Sequence, residues 1–141
     1  MTSFDWEEYL KLAEDFEDKV DDEAILRTAT SRAYYAVFHM AYDFLNKNGF
    51  TISRERNSAH YDVWDAFGRA IGVNDTWRAI SKNGDELSRR RKIADYQLRK
   101  INWAESIKDS NKKARNIQQW LTDISKDGPV KIVVPERKYS F

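Results

Sequence analysis

Residues 31 to 42, SRAYYAVFHMAY, place Arg32, Tyr35 and His39 inside a run that otherwise reads as buried helix. A helix that only filled space would use Leu, Ile and Ala there. At helical offsets of three and seven these side chains project within about 60° of one another, with Arg32 and His39 about 10 Å apart along the axis. That is too far for direct contact, yet both can reach one ligand or one partner helix laid across them. A guanidinium can steady charge on a phosphoryl group, and an imidazole can accept and donate a proton near neutrality. The plainer alternative is that Arg32 pairs with an acid and His39 satisfies a carbonyl, and helical spacing by itself leaves both open.

A second constellation is RRRKIADYQ at 89 to 97. Arg91 and Asp95 are four apart and can pair on a helix surface, a contact usually worth a few tenths of a kcal/mol. Tyr96 follows at once, and Arg89 and Arg90 precede. This stretch therefore carries the same mix of guanidinium, carboxylate and phenol as the first. If the two stripes face each other, they form a polar seam in a helical bundle.

The elements that must position these residues are helical. Gly and Pro number seven in 141, and apolar residues recur at three and four, which predicts an all-α domain. A first helix is expected from about Phe4 to Lys19, with Trp6, Tyr9, Leu10, Ala13 and Phe16 on one stripe. A second starts after the Asp21/Asp22 cap signal and runs to about Lys47, where Asn48-Gly49 supplies a left-handed stop. It carries two apolar stripes, one through Ala33, Val37 and Phe44 and another through Tyr34, Phe38 and Tyr42, which makes it central in the bundle or part of a subunit interface.

Ser58 reads as the cap of a third helix with Tyr61, Trp64 and Phe67. A fourth opens near Asp75 and runs through Tyr96, with Asn83-Gly84 as a point that could split or kink it. Asn102 and Glu105 form a capping box for the last helix. From Gly128 the character changes to a short extended piece between two prolines. The expected organisation is one helical bundle over 1–127 and a tail over 128–141, without internal repeats.

Composition narrows the chemistry. With no cysteine there is neither a disulfide framework nor a thiolate metal site, and two histidines argue against zinc. No metal or cofactor is expected. The N-terminus is acidic and amphipathic rather than a signal peptide, and no window approaches eighteen consecutive apolar residues, so a cytoplasmic protein without membrane contact is expected. Residues 1 to 23 carry ten acids against two lysines, which leaves the other 118 residues at +9 within a chain whose net charge is +1. That excess clusters in RRRK at 89 to 92 and KKAR at 112 to 115. A local basic lobe is one reading and a solvated helix face is the other.

With these motifs in hand, the chain resembles the HEPN superfamily (higher eukaryotes and prokaryotes nucleotide-binding domain), specifically small prokaryotic members carrying SRAYYAVFHMA and, about fifty residues later, RKIADY. The likeness spans roughly residues 5 to 125 in helix order and length. It implies an antiparallel bundle of four or five helices that forms a homodimer, with polar residues of both subunits lining a shared cleft. It also implies engagement of RNA or nucleotide, in many members by metal-independent endoribonuclease action, and often as a toxin paired with a minimal nucleotidyltransferase antitoxin in defence. On this reading Arg32, His39, Arg91 and Asp95 are the catalytic candidates, and Tyr35, Tyr96, Arg89 and Arg90 the binding candidates. The chain departs from the ribonuclease pattern where toxin members place a His on the fourth helix closely followed by Tyr. Here Asp95 precedes Tyr96, and a carboxylate with an ordinary pKa near 4 is a poor proton donor at pH 7. Either His39 substitutes from the second helix, or the domain binds without cutting, as a non-catalytic module docking a nucleotidyltransferase.

Overall fold

A computed structural model describes residues 4–53 and 57–136, and those residues form a bundle of five helices with no strand among them. They are α1 (Glu7–Asp15), α2 (Glu23–Lys47), α3 (Ala59–Arg69), α4 (Asp75–Tyr96) and α5 (Trp103–Ser125). The last five residues of the tail, 137–141, lie outside the described part. No described helix is long and apolar enough to cross a membrane.

Local signals in the sequence set most helix ends. Asp22 caps α2 by accepting from the Ile25 amide at 3.1 Å, Asn74 caps α4 through the Trp77 amide at 3.2 Å, and Asn102 caps α5 through the Glu105 amide at 3.1 Å. Gly49 ends α2 in the left-handed region at φ 86°, and the Phe50 amide turns back to the Leu45 carbonyl at 2.9 Å. Such a 6→1 bond satisfies a carbonyl that the helix leaves open. Ser58 does not cap α3, because its hydroxyl donates to Asp62 instead, at 2.8 Å. α1 is shorter than expected. Its last turn holds no basic residue, and the acids that follow it would sit at the negative end of the helix dipole, so residues 16 to 22 fold as successive turns.

α2 lies at the centre, packed on α1, α4 and α5, with a lighter contact to α3. Ala29, Ala33, Ala36, Val37 and Ala41 of one stripe are fully buried, and so is Tyr34 of the other. The two apolar faces of α2 are thus covered within the chain, and its hydrophobic surface does not by itself call for a second copy. Leu10, Leu26, Leu45, Val63, Phe67, Ile80, Leu87, Ile107 and Ile117 complete the core.

Asn83-Gly84 does not break α4, which is continuous. Gly84 is there for proximity: a Cβ on it would lie 2.1 Å from Cε3 of the Trp64 ring. One turn along α3 from Trp64, a Cβ on Gly68 would meet the Ser81 hydroxyl at 2.9 Å, and that hydroxyl donates to the Trp64 carbonyl at 2.6 Å. Two glycines, one on each helix, therefore let α3 and α4 approach closely and press the Trp64 indole into the bundle.

The tail is stitched on by three bonds. The Ile132 and Val130 amides donate to the Asn48 main-chain and side-chain oxygens at 3.0 and 3.1 Å, and the Ile71 amide donates to the Val133 carbonyl at 2.9 Å. Ile132 is buried beneath them.

Gly84→Ala should destabilise the fold by about 1–3 kcal/mol, as overpacked core sites do, although alanine gains about 1 kcal/mol of helix propensity in an unobstructed helix. Urea denaturation reads the difference. A variant as stable as the parent would mean that Trp64 does not press on this position.

Candidate functional site

The seam between α2 and α4 is built around Arg91. Its side chain is 8% exposed, and the guanidinium carbon lies 5.6 Å from the Tyr34 ring centre and 5.4 Å from that of Tyr35. Those two rings meet edge to face at 5.5 Å, so consecutive tyrosines of α2 offer the cation two aromatic surfaces. Among the described residues its carboxylate partner is Asp95, 3.9 Å from Nη1, and Asp95 also accepts from the Ser31 hydroxyl at 3.3 Å. Arg91 Nε is buried and has no hydrogen-bond acceptor among the described residues. Burying a guanidinium costs several kcal/mol unless it is fully paired. This one is only partly compensated.

Behind Arg91 lies a histidine that the sequence motifs do not point to. His60 of α3 is joined to the Tyr34 hydroxyl at 2.6 Å through Nδ1, stacks on Phe38 at 4.2 Å, and the Trp64 indole donates to the same hydroxyl at 3.2 Å. Burial, then the charges of Arg91, Lys92 and His39, push the His60 pKa down to about 4. Burial also drives Tyr34 up to about 12, although hydrogen bonds from Ser88 and Trp64 and the Arg91 charge pull the other way. Both are therefore neutral at pH 7. Four-residue spacing to Trp64 was the available hint that His60 faces inward.

The other α2 candidates turn toward α1. Trp6, the N-cap residue of α1, lies flat on His39, with ring centres 3.8 Å apart and planes 13° from parallel. Arg32 lies over the Tyr9 ring at 4.9 Å and forms no ion pair or hydrogen bond among the described residues. Tyr35 connects the two groups, touching the Arg91 side and standing 6.3 Å from His39. The seam is thus two adjoining sets, Arg91 with Asp95 and Ser31, and Arg32 with His39 beneath α1.

Three sequence candidates stand apart. Tyr96 is 76% exposed at the end of α4. Arg89 points to solvent and pairs with Asp85 one turn back. Arg90 braces α4 against α5 through Asp109 at 2.7 Å and the Ser110 hydroxyl at 3.0 Å, and pairs with Glu86 of its own helix at 2.8 Å. Much of the RRRK charge is consumed by these local acids, as in a solvated helix face.

Arg27, which sequence reasoning passed over, holds the end of α4 in place. Its Nη1 donates to the Ile93, Ala94 and Gln97 carbonyls at 3.3, 3.2 and 2.6 Å, its Nε pairs with Glu23, and its guanidinium covers the Trp103 ring at 4.7 Å. A cation at the negative end of a helix is electrostatically favoured. By closing the last turn of α4, it fixes Asp95 against Ser31.

Roomy surface clefts lie elsewhere, one of about 740 Å³ between Ile52, Asp65 and Pro135 and one of about 550 Å³ beside Glu14 and Lys108. No His, Asp and Glu cluster among the described residues could hold a metal ion. Compared with models of protein families, with curated proteins and with solved structures, the chain matches none.

The fold should weaken in mild acid because of His60. The unfolded imidazole takes a proton near pH 6.5, whereas the folded one resists until about pH 4, so stability is full above 6.5 and is lost as pH falls from there toward 4. Denaturant titrations at pH 7.5, 6 and 5 should show this slope, and His60→Gln should flatten it. An unchanged slope in the variant would assign the acid sensitivity to other groups.

Proposed function

We propose that this chain engages RNA or a nucleotide through phosphate, as a HEPN-type domain and the toxin-like member of a toxin–antitoxin or defence pair with a minimal nucleotidyltransferase. The observation that carries the reading is Arg91: a guanidinium taken almost wholly out of water, with its Nε unmatched and its nearest carboxylate at 3.9 Å. A phosphate oxygen is the acceptor such a group fits best, since a guanidinium binds oxyanions with paired donors. Arg32, with no anionic partner among the described residues, is the cation of the adjoining set. The two motifs that bear the family resemblance supply both arginines. A cytoplasmic homodimer belongs to the same reading.

Cleavage, if it follows, needs a proton to leave the attacking 2′-hydroxyl and another to reach the departing oxygen. His60 is held neutral far below neutrality and is bound to Tyr34. His39 is the group left for proton transfer. Its coverage by Trp6 is the specific observation favouring the second reading, a non-catalytic domain that docks a nucleotidyltransferase.

Arg91→Lys should weaken binding of RNA across a salt series by about tenfold although charge is retained, because the planar donor set is lost. Circular dichroism must show the variant folded. Unchanged binding would remove Arg91 from phosphate recognition.

Any cleavage should persist in EDTA and leave 2′,3′-cyclic phosphate ends, and His39→Ala should abolish it while binding survives. Activity lost to chelator and restored by magnesium would contradict the ribonuclease reading. A cleaving parent whose His39→Ala variant cuts as fast would clear this histidine.

A further inference from the structure

α1 brings two aromatic rings onto the two α2 side chains best suited to a nucleotide. Trp6 lies on His39 at a separation and tilt typical of stacked aromatic rings, and Tyr9 faces the Arg32 guanidinium. Phe4 closes the group, 4.9 Å from Trp6 and 5.2 Å from Tyr9, and is itself about half exposed. A flat ring stacked on imidazole, beside an arginine that has no anion among the described residues, leaves a place that an unpaired base and its phosphate would fill.

We infer that the His39 ring face and the Arg32 guanidinium form a subsite for one unpaired nucleotide of a single-stranded RNA, and that Trp6 and Tyr9 of α1 occupy it in the isolated chain. This inference rests on the phosphate-engaging reading above and adds a substrate class and an internal competitor to it. The base stacks where Trp6 now lies, and its phosphate meets Arg32. A duplex is refused, because its bases have no free face to offer.

α1 is suited to yield. It spans nine residues, and its N-cap residue Trp6 offers no side-chain acceptor, so the Asp5 carboxylate holds only the Glu7 amide, at 3.0 Å. Only Leu10 and Ala13 of its helical residues are fully buried. Its polar fastenings lie on α5, away from the subsite: Arg115 pairs with Glu7 at 2.8 Å and with Glu14, and the Asn111 side chain donates to the Ala13 carbonyl at 3.2 Å. Those pairs are part-exposed and share one guanidinium between Glu14 and Glu7, so a single substitution at Arg115 removes both. Apparent affinity falls by the fraction of chains in which the subsite is uncovered, so loosening α1 raises it with no new contact.

The test measures anisotropy of a fluorescein-labelled oligouridylate of about ten nucleotides, single-stranded or annealed to oligoadenylate. The proteins are the full chain, the double variant Trp6→Ala/Tyr9→Ala, and Arg115→Ala, which loosens α1 without touching the subsite. Circular dichroism melts report folding. Both variants should bind the single strand more tightly than the parent, the double variant by about tenfold, with the duplex unaffected. If the double variant does not fold, Arg115→Ala carries the test. Equal or weaker binding by the variants, beside a parent that binds, overturns the internal cover and leaves the phosphate reading standing. An equal gain for strand and duplex overturns the base subsite, since only charge was exposed. If neither parent nor folded variants bind either RNA at low salt, both the inference and the reading beneath it fail.

Discussion

A guanidinium buried to within a few per cent of complete burial constrains whatever packs around it. Arg91 leaves water near the end of α4 and must be compensated by rings and by one distant carboxylate. Tyr34 and Tyr35 supply the rings, which fixes the rotation of α2 relative to α4. Tyr34 then faces inward with a hydroxyl that itself needs partners. Trp64 and His60 provide them, and both come from α3. Three helices are thus oriented by the requirement that a cation and a phenol in the interior be satisfied. Small residues make the arrangement fit: without a bare Gly84, Trp64 would stand too far out to reach Tyr34.

Charge is arranged with the same economy on the outside. Glu7 and Glu14 of α1 are answered by Arg115 of α5 and Glu17 just beyond it by Asn111, and Arg89, Arg90 and Lys113 meet acids of their own or the neighbouring helix. Arg27 spends its donors on the open carbonyls of α4. Against that background Arg32 and Arg91 differ from the other arginines discussed. Among the described residues one meets an aromatic ring and no anion, and the other has rings and a carboxylate at the limit of contact. The lowered pKa of His60 belongs to the same balance, because burial first and then the neighbouring Arg91 charge disfavour a second cation there.

The relation between α1 and α2 joins stability to access. Tyr9 and Trp6 bury part of their own surface by lying on Arg32 and His39, so the contacts that hold α1 down are also the ones that cover the polar side chains of α2. The fastenings to α5 set how firmly that cover is held. A single isolated chain therefore presents Arg91 and its tyrosines as packed interior and Arg32 with His39 as a shielded surface.

The sequence by itself determined the helices and most of their ends. Asp22, Asn74 and Asn102 each act through the amide three residues on, and Gly49 through its own backbone, so the information is local. It also placed Arg91, Asp95, Tyr35 and His39 on particular helix faces, because periodicity alone sets those directions. Tertiary structure decided what periodicity does not contain. Gly84 reads along the chain as a weakness, and only the arrival of Trp64 from another helix makes it a close approach. His60, Arg27 and Trp6 gain their meaning from partners 26 or more residues away, at Tyr34, at the end of α4 and at His39. Arg89, Arg90 and Arg91 are neighbours in sequence, yet the 100° turn between successive residues sends one to solvent, one to α5 and one into the core. Which of the three was buried depended on where α2 and α5 lay, and that is a property of the assembled bundle.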